Sequence, residues 1–385
     1  GVLTGTPTVV GKYIFVIGAT DTEMSGNRQY TVEVVRGPAR LYVNQNASGE
    51  NNGNDWANAF TDLQPAMAQT SAGDEVWVAK GNYSPGALAT SWFAIKEGVK
   101  MYGGFAGTET ELTARDTLLI RTQNETILDG SKGVGSYHVV YNADSKVTNA
   151  TVLDGFSIQG GKAASTYDSY TTLNANYFGG GIYNSGGAMV FSNLWIKNNV
   201  ASYGGGLYHS GAATYSNIRF STNIAKGKTA RGAALYNATG LKLVDGLFEN
   251  NSINESTSYP GIAAAVYSAA DGELTNTEFI GNSVTNGQAG STYATGVFKL
   301  NKALFQKNKA TSGGAVALGA GTVTLADVFF VDNSASTTAG AIYNAGATLT
   351  INKARFTGNT SVQHGGALWT TGTVKISNAL FSKNR

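Results

Sequence analysis

Apolar residues alternate with polar or small ones through most of the chain, as in Leu349-Thr350-Ile351 and Val374-Lys375-Ile376. A period of two marks strand, where successive side chains point to opposite faces. Gly, Asn, Thr and Ser stand too densely between them for helix, because these residues favour turns and caps. The alternating segments also recur. Gly340–Asn359 carries Ile342, Leu349, Ile351 and Phe356, with Asn359 three positions after the Phe. The same F-x-x-N ending returns at Phe220/Asn223, Phe248/Asn251, Phe279/Asn282, Phe305/Asn308, Phe330/Asn333 and Phe381/Asn384, with Trp195/Asn198 as an aromatic variant. The Asn-to-Asn steps are 25, 28, 31, 26, 25, 26 and 25 residues. A fixed period in this range marks a solenoid, in which each repeat buries its apolar face against its neighbours. Such a repeat holds three short strands and three turns, one coil of an all-β parallel β-helix, and coils stack at about 4.8 Å.

Aligning the repeats sorts positions into columns. Ile182, Leu207, Leu235, Val266, Val297, Val316, Ile342 and Leu368 point inward. The next position points outward: Tyr183, Tyr208, Tyr236, Tyr267, Phe298, Ala317, Tyr343 and Trp369. One residue before the inward column only small residues stand, from Gly181 and Gly206 to Gly296 and Ala367. The Asn column is expected to stack amide on amide, each donating to the next oxygen. Gly313-Gly314 and Gly365-Gly366 suit a corner that needs positive φ or close backbone approach. Asn276, Lys302, Asp327, Lys353 and Asn378 form a column of mixed charge that reads as a solvated ladder.

The repeats differ most in one interval. From the Asn column to the next inward residue the count is 23 (from Gln159, in a degenerate Phe156/Gln159 pair, to Ile182), then 9, 12, 15, 15, 8, 9 and 9. Extra chain therefore enters at one corner, as Lys162–Phe178, Lys226–Arg231, Ser252–Pro260 and Val284–Tyr293. Loops on a rigid scaffold commonly carry binding function. Tyr167, Tyr170, Tyr177, Lys228, Arg231, Tyr259 and Tyr293 are accordingly the candidate ligand-binding residues. Their aromatic and cationic mix suits a glycan or a protein partner. Packing of the same rings on their own coils is the competing expectation.

The first part of the chain departs from this pattern. Residues 1–38 hold two alternating strands, about Lys12–Gly18 and Gln29–Val35, and a linker at Arg36-Gly37-Pro38. The β-helix is expected over 39–385, opened by Leu41-Tyr42-Val43 and a short N-terminal capping helix. That helix is placed at Trp56–Thr70 with Asp55 as N-cap, on the spacing of Trp56, Phe60, Leu63 and Met67. Asn51, Asn54 and Asp55 fit a turn with a helix cap better than a Ca²⁺ loop.

Two resemblances follow from these residues. G-T-P-T, then Gly11-Lys12-Tyr13-Ile14-Phe15, Ala19-Thr20-Asp21 and Tyr30-Thr31-Val32, resembles the closing strands of bacterial immunoglobulin-like domains. F-x-x-N alternating with G-G-A-[ILV], as in Gly313-Gly314-Ala315-Val316 and Gly365-Gly366-Ala367-Leu368, resembles the repeats of polymorphic outer membrane protein-like β-helices. The lead-in Tyr42–Gly49, Asp55–Met67, Gly73–Tyr83 and Gly98–Gly107 is similar to the start of right-handed β-helix surface proteins of Gram-negative bacteria. Together this second likeness spans about residues 40–385. It implies a right-handed helix and an exported protein, surface-attached or secreted, often an adhesin; the barrel of that family is not in this sequence.

Composition narrows the chemistry. Of 385 residues 14% are charged, the net charge is +2 and there is no Cys. Disulfides and thiol chemistry are thereby excluded, and the near-neutral surface leaves no nucleic-acid footprint. No run of 18 apolar residues exists, so membrane insertion is not expected. The chain starts at Gly1 and ends at Arg385 just past an Asn-column residue, and so reads as a trimmed fragment. Acidic residues in the repeats are scattered, and Asp154 with Lys162 is the best hydrolytic guess. His209 stands where Asn184 and Asn237 stand in other coils, a substituted ladder position. No catalytic residue, metal or cofactor is assigned. The expected function is a non-catalytic β-helix in adhesion or in binding an extracellular glycan or surface protein. The alternatives are a polysaccharide lyase or glycoside hydrolase, and a structural stalk.

Overall fold

The computed structural model describes residues 9, 11–20, 22–34, 37, 39–163, 175–254 and 260–385. The chain divides into two units, Gly1–Ala39 and Arg40–Arg385. In the first, β1 (Gly11–Thr20) pairs antiparallel with β2 (Ser25–Val34), in register from Gly11↔Val34 to Thr20↔Ser25. Phe15 and Tyr30 face each other across the ladder and stack at 5.8 Å.

The second unit is a right-handed parallel β-helix. Its described strands form three sheets of 16, 10 and 10 strands, in which every pairing is parallel. One coil shows the path. Ile182–Asn184 lies in the third sheet, Val190–Ser192 and Trp195–Lys197 in the first, Val200–Ala201 in the second, and Leu207–His209 returns to the third. In later coils the two first-sheet pieces merge into strands of 9–10 residues such as Thr348–Thr357. A left-handed residue bends each merged strand at Asp245, Asn276, Lys302, Asp327, Lys353 or Asn378, with φ of 53–59°. These are the mixed-charge column. It is tied by Lys353 to Asp327 at 2.9 Å and Asn276 to Asp245 at 2.5 Å, on the outside of the coil.

Side-chain ladders fill the interior. Phe220, Phe248, Phe279, Phe305, Phe330, Phe356 and Phe381 stack with centroids 4.5–4.8 Å apart and planes within 10°. The Asn ladder lies one turn on, fully buried from Asn199 to Asn359. From Asn223 to Asn359 each amide nitrogen donates twice. That of Asn333, for example, gives 2.9 Å bonds to Asn359 Oδ1 and to the Phe305 carbonyl. Its oxygen accepts from the Asn308 main-chain and side-chain nitrogens at 3.0 and 2.9 Å. A short amide combines two donors with an acceptor, where a hydroxyl has a single donor. The residue before each ladder Asn is left-handed, with φ of 52–67°, which turns the Asn inward.

Register corrects several sequence assignments. The ladder begins at Asn199, not Asn198, which is exposed at the left-handed position. Ile196, not Trp195, pairs with Phe220, and Ile158, not Phe156, pairs with Ile196. Adjacent asparagines and an outward-facing aromatic shifted the alignment by one residue. In the fifth coil of that column Thr292 and Tyr293, not Val297 and Phe298, are in register with Val266 and Tyr267. Val297 is 47% exposed and Phe298 is buried. Aliphatic character points to Val297, whereas this coil places Thr292 inside. The segment Val284–Tyr293 is therefore an ordinary corner and not an insertion.

The capping helix is shorter than expected. Helix α1 spans Leu63–Gln69, and its N-cap is Asp62, whose carboxylate takes the Gln64 amide at 2.9 Å. Asp55 instead closes a turn on Asn58, accepting its main-chain nitrogen at 2.8 Å. Trp56 is drawn away by its Nε1 bond to the Glu109 carbonyl and by Tyr42 at 4.8 Å. Leu63, Ala66 and Met67 join the main core, where α1 packs on β3 (Arg40–Val43) and β4 (Glu75–Ala79). Among the described residues no helix is long and apolar enough to cross a membrane.

Candidate functional site

The corner between the second and third sheets is where coil length varies. Ala163, Ala201 and Ala225 leave the second sheet in register. Phe178, Tyr203, Arg231 and Ile262 rejoin on a second line of parallel bridges. Extra chain between 163 and 178, 225 and 231, and 253 and 262 thus starts and ends on the same two lines of neighbouring coils. In the coil between the first two, only Ser202 separates the lines.

The described candidates gather around those lines. Tyr177 ends a short 3-10 turn, Ala175–Tyr177, half-buried, with its carbonyl accepting the Ser202 and Tyr203 amides at 3.0 Å. Lys228 is half-buried in the turn after Ile224–Ala225. Arg231 lies over Tyr267, 5.0 Å from its centroid, and its Nη1 donates to the Tyr267 hydroxyl at 3.0 Å. Tyr293 stacks on the other side of Tyr267 at 5.2 Å. Tyr203 shares a 2.6 Å hydrogen bond with Thr229. Tyr167, Tyr170 and Tyr259 fall outside the described residues.

Tyr293 therefore belongs to the outward aromatic column and not to a loop. That column runs Trp92, Tyr141, Tyr183, Tyr208, Tyr236, Tyr267 and Tyr293 with centroids 4.7–5.6 Å apart and planes within 27°. Ala317 interrupts it before Tyr343 and Trp369 stack at 4.9 Å. Face-to-face stacking covers the ring faces with neighbouring rings, so a ligand meets edges and hydroxyls only. Burial pushes the Tyr236 hydroxyl up to about 12 and raises Tyr208 and Tyr293. These hydroxyls stay neutral donors at physiological pH.

Four acidic groups outside this corner are held by partners. Asp154 is buried, with Arg115 Nη2 at 2.5 Å, Ser192 Oγ at 2.5 Å and Asn193 Nδ2 at 2.6 Å. The anticipated Asp154–Lys162 pair does not form: Lys162 is exposed on the second sheet, while Asp154 lies in the first. Glu125 accepts Lys197 Nζ at 2.6 Å and Ser157 Oγ at 2.5 Å. Glu249 accepts Arg219 at 2.6 Å. Asp129 takes Asn82, Gln159 and the Ser131 amide. His209 is buried in its ladder position, with Nδ1 2.9 Å from the Tyr215 hydroxyl and Nε2 3.0 Å from the Gly240 carbonyl. Among the described residues no three His, Asp or Glu side chains converge as metal ligands.

Sequence reasoning missed the outward cations of the first sheet and the loop that meets them. Trp195, Lys197, Arg219, Arg115 and Arg121 lie there, although the F-x-x-N pattern alone places Trp195 in the interior. The available signal was Ile196–Asn199, itself an F-x-x-N with Ile in place of Phe. Nothing local marks Arg121, whose partner Asn217 is 96 residues away.

No family model matches the sequence, and no curated protein matches it. Two solved structures are similar in chain path. A pectate lyase crystal structure has a TM-score of 0.43 and 13% identity, covering 90% of this chain and 79% of that one. A rhamnogalacturonan lyase has a TM-score of 0.40 and 14% identity, covering 89% and 87%. At 13–14% identity these likenesses concern the fold alone.

Proposed function

We propose that the protein is a non-catalytic, exported β-helix that binds an extracellular glycan or a surface partner through the elaborated corner of its N-terminal and middle coils. The observation that carries this reading is the shared register of the insertions. Chain length is added repeatedly at one corner, on two fixed lines, while the first sheet beneath keeps its parallel register from coil to coil. Elaboration confined to one edge of a rigid scaffold is how solenoids build binding surfaces. Tyr177, Lys228 and Arg231 are the described residues assigned to the surface, and Tyr167, Tyr170 and Tyr259 extend the proposal to the adjoining loops. Tyr293 takes part only through its hydroxyl edge.

The paired state of four partly or fully buried acids supports binding over cleavage. A general base or nucleophile needs a carboxylate able to reach substrate. Among the described residues Asp154, Glu125, Glu249 and Asp129 are each engaged by cations or amides. Export and surface location rest on the G-G-A and F-x-x-N resemblance. A glycan array probed with the intact chain and with Tyr177→Ala/Lys228→Ala tests the reading. Lost binding at unchanged Tm is expected. Unchanged binding by the double variant would remove the corner from the function, and release of reducing or unsaturated ends would replace binding by cleavage.

A further inference from the structure

A second surface stands on the first sheet, away from that corner. The segment 106–125 leaves the coil of Lys100–Phe105 and reaches coils far along the chain. Arg115 pins it to Asp154, and Arg121 Nη2 donates to the Asn217 carbonyl at 2.7 Å and the Leu194 carbonyl at 3.2 Å. The Leu194 carbonyl also accepts the Arg219 main-chain amide at 2.9 Å, which brings the two arginines onto one strand edge. Trp195 lies beside them, with Lys197 Nζ 3.8 Å and the Arg219 guanidinium 4.6 Å from its ring.

The charges in this cluster do not balance. Lys197 has Glu125 and Arg219 has Glu249. Arg121 has no carboxylate among the described residues: its hydrogen bonds go to carbonyl and amide oxygens, and its Nε is buried without a partner. Three cations thus face two carboxylates, and the unpaired guanidinium is half-buried. Burial, followed by repulsion from Arg219, lowers its pKa from the ordinary arginine range. A partly desolvated cation beside a second cation is costly unless an anion joins it.

We propose that Arg121, with Arg219 and Lys197, binds the carboxylate or sulfate group of an acidic glycan. Arg121 supplies the uncompensated charge and a fork suited to a planar or tetrahedral oxyanion. Lys197 and Arg219 stand on successive coils, about 4.8 Å apart along the axis, so a linear polymer running along the sheet meets both. Trp195 has its ring beside both cations and serves as their support. A polyphosphate is not favoured, because the chain's net charge of +2 gives no wider field for it.

The test is calorimetric titration of the intact chain with oligogalacturonate, with dextran sulfate and with neutral dextran. At least one acidic polymer should bind, more weakly as salt rises, and neutral dextran should not; which one binds identifies the anionic group. Arg121→Gln should weaken that binding about tenfold or more. Glu249→Gln, which releases Arg219, should strengthen it and decides the matter if Arg121→Gln does not fold. Lys353→Ala, an outward cation of a later coil outside both surfaces, should leave it unchanged, and loss on Arg121→Gln but not on Tyr177→Ala/Lys228→Ala separates this site from the corner. Failure of both acidic polymers to bind, equal binding of neutral dextran, or weaker binding by Glu249→Gln would overturn the proposal.

Discussion

The coils from Phe220 onward and those before Gln159 share one path and are held together differently. In the later coils identical side chains repeat at the same register, so each Phe and each Asn meets its own kind above and below. In the early coils the ladders are short or mixed, and the ties run across long stretches of chain. Glu97 takes the Thr148 amide and the hydroxyls of Thr148 and Thr151. Lys96 donates to the Met67 and Thr70 carbonyls at the end of α1. Arg115 closes on Asp154. Repetition makes stability a sum over neighbours, whereas single long-range ties concentrate it in a few residues. The early coils and the middle corner also carry both proposed surfaces, where irregularity leaves room for them.

The largest effect should come from breaking the amide ladder. In a site without solvent access, Asn333→Leu leaves the Asn308 main-chain nitrogen without its acceptor and takes one of two acceptors from the Asn308 amide. It also removes a donor from the Phe305 carbonyl and from Asn359 Oδ1, which keeps only the residue-333 main-chain amide at 3.1 Å. Each stranded group costs about 1–3 kcal/mol, so a loss of roughly 3–6 kcal/mol is expected in chemical denaturation. A loss under about 1 kcal/mol would show that the ladder is not cooperative. Next is the aromatic ladder. Phe356→Ala should cost roughly 3–5 kcal/mol, and Arg355→Ala, exposed on the same strand, under about 0.5. Equal shifts in the two melts would contradict the inside–outside phase.

In the early coils the corresponding break is ionic. Arg115 and Asp154 side chains are 7% and 9% exposed, so Arg115→Met leaves a carboxylate buried with only Ser192 and Asn193. A loss of about 3 kcal/mol is expected, most of it restored in Arg115→Met/Asp154→Leu. A double variant no better than the single would mean that Arg115 acts through packing on Tyr102 and Phe105 and not through charge.

The same contrast decides what could be read in advance. The fold, the Phe column and the Asn column from Asn223 to Asn384 were legible, because each recurs with residue type and spacing intact. Asn199 was missed because Asn198 adjoins it, and Thr292 because the interior there is not aliphatic. The Asp62 cap was obscured by Asp55, an equally good cap seven residues earlier. At the proposed surfaces, composition pointed to the corner insertions, whose ends the register does align. The cluster at Arg121 had no local signature, since loop 106–125 acquires its meaning only from coils built much later in the chain.

The smallest effect expected is one of pH, and it sharpens the comparison because its source lies in an early coil. His138 is buried, with Nδ1 3.0 Å from the Gly179 carbonyl and its ring against Trp92, Tyr141 and Tyr183. Burial lowers its pKa from 6.5 to about 4, so the folded protein resists a proton that the unfolded chain accepts. A depressed pKa contributes stability that is complete above about 6.5 and is lost as pH falls toward 4, by at most about 3 kcal/mol. Burial acts on His209 in the same direction. Carboxylates such as Glu97, lowered first by its hydrogen bond from the Thr148 hydroxyl, lose their contribution only below the ordinary carboxylate pKa near 4.5. The interval from about 4.5 to 6.5 therefore isolates the histidines. His138→Gln should flatten the decline of Tm across it, leaving the part that His209 supplies. A profile unchanged by the substitution would mean that His138 reaches solvent before the coil unfolds, and that the early coils open locally ahead of the laddered ones.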